Sequence, residues 1–190
     1  MNTRIKLLAF LLLLACSTVY GQSSILDRAT AIGEKMDEAL ITEDQEYLNG
    51  LFDKKAFTKS IIIDSDDQAV KGFNEGFLSG FDQPLAFFNL IFGQVQAQGD
   101  ELSFVRAYVK NGTPHILFRI YGNGGLNYHD YELKEIDGQL KIIDLYIYIA
   151  GENLTETIRR FYLIAAKSGA GQAVDEEVVS ISFEKLTSFQ

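Results

Sequence analysis

A chain of 190 residues with 26 acidic against 17 basic side chains carries a formal charge of −9. That balance lacks the basic footprint nucleic acid requires, and it disfavours an anionic membrane surface. One domain is the expectation at this length, and a domain near 150 residues buries roughly 68–70% of its unfolded surface without disulfide or metal.

Residues 1–21 read as an export signal. Arg4 and Lys6 make a short basic start, Leu7–Leu14 an apolar run, and Val19-Tyr20-Gly21 a small-residue cleavage site before Gln22. The run falls far short of the ~20 residues a spanning helix needs. A rival reading uses Leu13-Leu14-Ala15-Cys16, which resembles a lipobox and would make Cys16, the single cysteine, a lipidated N-terminus; Leu14 is an unusual residue at its second position. Cleavage after Gly21 implies a secreted or periplasmic protein, lipidation a membrane-anchored one. Residues 22–168 then form the domain and 169–190 a C-terminal tail.

Ile25, Ala29, Ile32, Met36 and Ala39 recur at helical spacing, an amphipathic first helix. Thr42 with Gln45, and Ser65 with Gln68, match capping boxes opening a second and a third helix. The third carries Gly72, Gly76 and Gly80 beside Phe73, Phe77 and Phe81, each set four apart. Glycine inside a helix costs about 0.5–1 kcal/mol relative to alanine, so close approach to a sheet is the expected reason, with a ligand against bare backbone as the alternative. Pro84 suits a first-turn position of a helix through Phe88 and Phe92.

After Gly93 the period changes to two. Val105, Ala107 and Val109 share a face, followed by Ile116, Phe118 and Ile120; Gly122–Gly125 makes a turn into Asn127–Ile136. Asp137-Gly138 is a hairpin signal before Leu140–Ala150, where Ile143, Leu145, Ile147 and Ile149 alternate. Asn153 and Glu156 cap a last helix. The expected fold is α+β: N-terminal helices packed on a curved antiparallel sheet of about four strands, plus a C-terminal helix.

The stretch ALITEDQEYLNGLFDKKAF resembles the opening of NTF2-like (SnoaL-like, cystatin-like superfold) domains, and NYHDYELKEIDGQLKIIDLYIYIAGENLTETIRRFYL is similar to bacterial proteins with such a domain. The resemblance covers roughly residues 25–151 by order of elements; residues 152–168 depart from it, since the simplest members stop after the last strand. It implies a cone with a pocket between sheet and helices, and often a dimer formed through the sheet. The family includes isomerases, dehydratases and many non-catalytic modules, so the likeness leaves the function open.

Neighbouring strand residues point to opposite faces, so His129 and Asp130 cannot form a simple dyad. His129 travels with Tyr131 and Leu133 toward the helices and is the best general acid/base candidate, although helix residues could also supply acids. No carboxylate can be assigned to it, and a hydrogen-bonded core histidine is the plainer reading. His115, directly after Pro114, is expected to be exposed. Two histidines disfavour zinc. Asp64, Asp66, Gln68 and Glu75 match positions of a calcium loop, but Ala69 stands where that loop needs glycine. Neither metal nor cofactor is expected.

Three functions follow from these readings. The first is an exported, non-catalytic binding module holding a small apolar ligand among Phe77, Phe88, Phe118, His129, Tyr131 and Leu145. The second is a protein-interaction or homodimer module. It would use the opposite sheet face, where Arg106, Tyr108, Arg119, Tyr121, Tyr128, Asp130, Asp144, Tyr146 and Tyr148 fall, a composition typical of interfaces. The third is an isomerase- or dehydratase-like enzyme using His129.

Overall fold

The computed structural model describes residues 25–169. Residues 1–21, read above as an export signal, the Cys16 lipidation reading and the tail beyond residue 169 lie outside them. The first helix, α1, occupies 25–41. Four short helices and one longer one follow: α2 (Gln45–Gly50), α3 (Lys54–Lys59), α4 (Gln68–Ser79), α5 (Ala86–Ile91) and α6 (Gly93–Gln98). The strands are β1 (Glu101–Lys110), β2 (Thr113–Gly122), β3 (Gly125–Ile136), β4 (Gln139–Ile147) and the two-residue β5 (Glu152–Asn153), before α7 (Leu154–Gly169). All five strands lie in chain order, each antiparallel to its neighbour. The fold is α+β, with helices before the sheet and one after it. Among the described residues no helix is long and apolar enough to cross a membrane.

Carboxylates start the short helices. Asp44, not Thr42, caps α2, accepting from the Tyr47 amide at 3.0 Å. Asp67, not Ser65, caps α4, accepting from the Ala69 amide at 2.7 Å. A charged acceptor satisfies orphan amides and also suits the positive helix end. Asp53 does the same for α3 (Ala56 amide, 2.6 Å), a helix the periodicity does not reveal. The calcium-like spacing thus resolves into a helix start, with Asp66 3.1 Å from Lys71.

Two bulges reset the faces of the sheet. In β1 the register runs from Phe104↔Phe118 to Arg106↔Leu117, leaving Val105 unpaired and 47% exposed. Leu102 and Phe104 therefore face inward where Val105 was expected. In β4 the register steps from Leu133↔Ile142 to Glu132↔Asp144, so Ile142 takes the buried place expected of Ile143. A bulge inserts one residue and bends its strand, which shifts the parity beyond it. β4 also stops at Ile147, and Ile149 lies in the following turn, 58% exposed.

The described helices cover one face of the sheet. Segment 51–53 docks on the β4 edge through reciprocal bonds, Ile142 amide to Leu51 carbonyl (2.8 Å) and Asp53 amide to Ile142 carbonyl (2.9 Å). This brings Phe52 against Phe87 of α5 (centroids 5.1 Å, stacked) and Tyr131 of β3 (6.5 Å). Residues 93–98 form one more short helix ahead of the first strand. Pro84 precedes a left-handed Leu85 (φ 59°), and α5 begins only at Ala86. The α4 glycines overturn the close-approach reading: a Cβ at Gly72, Gly76 or Gly80 would meet nothing within 4 Å. The neighbouring rings carry the packing, with Phe73 and Phe77 meeting Tyr162 of α7 at 5.4 and 5.2 Å.

Candidate functional site

The helix-free sheet face holds a small polar cluster amid exposed aromatics. Tyr108 and His115 are direct cross-strand partners on β1 and β2, and their rings stack with centroids 5.2 Å apart. Asp130, one strand further, sits opposite Leu117 and Tyr146. Its carboxylate accepts a short hydrogen bond from the Tyr108 hydroxyl and lies 3.2 Å from His115 Nδ1. A carboxylate only accepts, so Nδ1 is the nitrogen that carries the proton in this contact. Although it lies on the face without helices, Asp130 is only 4% exposed. Burial, then the bond to Asp130 and its charge, push the Tyr108 hydroxyl well above its usual range, so Tyr108 remains a neutral donor. Arg106 lies over its ring at 5.2 Å.

His115 is therefore buried and paired, against the expectation of exposure. Parity could have found it: His115 shares the face of Arg119 four residues on, and Asp130 was already placed there. The missing knowledge was the register that sets Tyr108 opposite His115. Asp144, across from Glu132, accepts from the Thr155 hydroxyl (2.6 Å) and the Leu145 amide (2.8 Å). Burial raises its pKa, and these hydrogen bonds oppose the rise. Asp144 thereby anchors the first turn of α7, where Glu156 also accepts from the Asn153 amide at 3.1 Å.

Around the cluster the face exposes large side chains. Tyr121 is 62% exposed, Leu126 55%, Tyr148 51% and Tyr146 36%. Tyr148 lies edge-on to both Tyr128 (5.9 Å) and Tyr146 (5.3 Å). Arg106 and Arg119 stand exposed beside them. Aromatic rings with guanidinium groups at a helix-free surface suit macromolecular contact.

The inner face is packed. His129 sits between Phe118 and Ile147 in the ladder, its Nδ1 3.4 Å from the Tyr131 hydroxyl. Burial lowers its pKa from 6.5 to about 3, so the ring is neutral. Tyr131 meets Phe118 at 5.6 Å and Phe92 at 6.5 Å, and burial pushes its hydroxyl up. Phe88 and Leu145 are buried in the same cluster, whereas Phe77 on α4 is half-buried against Phe81 and Tyr162. Among the described residues no three His, Cys, Asp or Glu side chains are placed to hold a metal ion. A comparison of the chain with protein-family models finds no match, and a comparison with curated proteins finds none either.

Proposed function

We propose that this protein is an exported, non-catalytic interaction module that pairs with a second copy through the open face of its sheet. One observation carries the proposal: Tyr121, Leu126, Tyr146 and Tyr148 are exposed together on a face that the helices of the described residues leave uncovered. The Tyr108–Asp130–His115 cluster gives that face a rigid centre. The NTF2-like resemblance agrees, since such domains often pair through the sheet. The other two readings have less support. Phe118, Tyr131 and Leu145, each at most 1% exposed, pack into the core, and His129 is neutral with its Nδ1 toward the Tyr131 hydroxyl.

Sedimentation velocity over a micromolar concentration range tests the pairing. A dimer is expected, and Tyr148→Glu should weaken it by roughly thirtyfold or more, the scale of a central aromatic anchor. A strict monomer, or a dimer indifferent to this change and to Tyr146→Ala, removes the reading. Export rests on residues 1–21 alone, and the mass of the mature chain checks it: Gln22 at the N-terminus on one reading, lipidated Cys16 on the other.

A further inference from the structure

Away from the sheet face, α1, α2 and the β3–β4 hairpin line an open surface cleft of about 460 Å³, a volume in the range of small-molecule sites. Ala31 and Ile32 of α1, Leu51 after α2 and Leu140 of β4 supply apolar walls. The charged lining is of one sign, Arg28 and Lys141, in a chain where acids outnumber bases 26 to 17. Beside it Lys35 lies 4.4 Å over the Tyr47 ring that lines the same cleft, where the Asp44 carboxylate also acts on Tyr47, so the cationic head site rests on Arg28 and Lys141.

The local partners of these cations are easily shared. Lys141 Nζ donates to the Gly50 carbonyl at 2.7 Å, one of three donors on an ammonium. Arg28 meets Glu135 at 2.9 Å, with side chains 39% and 48% exposed, and also donates to the Gly138 carbonyl at 2.9 Å. An ion pair that exposed contributes little, so exchanging it for another carboxylate costs little. A guanidinium matches a carboxylate in a planar, two-pronged way, and an ammonium beside it adds a point charge.

We propose that this cleft binds a medium-chain aliphatic carboxylate, its tail along Ile32, Leu51 and Leu140 and its head between Arg28 and Lys141. The site is separate from the sheet face, and its test is independent of pairing. Calorimetric titration of the mature protein with decanoate, kept below its micelle-forming concentration, should show saturable one-to-one binding. Lys141→Gln should weaken it about tenfold, the loss of one charge-assisted hydrogen bond. Decanol, lacking the charge, should bind weaker by a similar factor. Gly50 lines the cleft with open space where its Cβ would stand, so Gly50→Leu fills the site while the melting temperature reports that the fold survives. Absence of saturable binding, equal affinity for decanol and decanoate, or binding unchanged by Gly50→Leu overturns the proposal.

Discussion

The two histidines show how far one residue type can diverge within a sheet. His129 faces the helices and has lost its solvent, which lowers its pKa to about 3. The unfolded chain binds a proton there near pH 6.5, whereas the folded chain does not until about pH 3. Between those values the unfolded state holds more protons, so stability falls as the pH is lowered, by up to about 1.4 kcal/mol per unit. His129→Phe removes that component. In urea titrations the stability of the wild type relative to the variant should drop by roughly 2 kcal/mol between about pH 6.5 and about pH 5; parallel profiles would rule out the burial account. Alternation along β3 placed His129 on its face correctly from the sequence. The acid beside His115 was not legible, because Asp130 is fifteen residues away and only cross-strand register brings them together.

At the scale of elements, two helices use glycine in opposite ways. Gly33 of α1 lies against Phe104 of β1, where an added Cβ would fall 2.2 Å from the ring. The same helix holds that strand through Asp37, which accepts from the Phe104 amide at 2.8 Å. The evenly spaced glycines of α4 face open space. Gly33→Ala should therefore destabilise by about 1–3 kcal/mol through overpacking, whereas Gly76→Ala should stabilise by roughly 0.5–1 kcal/mol by restricting the unfolded chain. Thermal melts in the reverse order would contradict this packing. Spacing marked the α4 stripe but could not say what lies across from it. The tight approach occurs at a lone glycine with no pattern around it.

At the scale of the molecule, the described helices occupy one side of the sheet and the charge is strongly negative. Two copies, each formally −11 once Arg4 and Lys6 leave with residues 1–21 (15 basic against 26 acidic), repel at long range, while exposed tyrosines and Leu126 dominate the proposed contact face. Salt screens the repulsion and leaves burial intact, the Debye length falling from about 30 Å at 0.01 M to about 10 Å at 0.1 M. The sedimentation experiment should accordingly show tighter pairing as salt is added. Weaker pairing would point instead to Arg106 and Arg119 acting through ion pairs across the interface.

By itself the sequence determined the features that depend on near neighbours. Helical and twofold periodicities set the α+β order, and Asp137-Gly138 marked a hairpin whose residues both adopt positive φ (50° and 78°). Alternation separated the aromatic core from the tyrosine face. Tertiary structure alone decided where alternation breaks, at the bulges beside Val105 and Ile143. It also decided which residues meet across strands and which faces stay uncovered. Those outcomes turn on a one-residue register step, which inverts every side chain beyond it, and on helix placement that no local pattern encodes. The paired His115 and the cationic cleft, the two places that sharpen the functional reading, both come from that level.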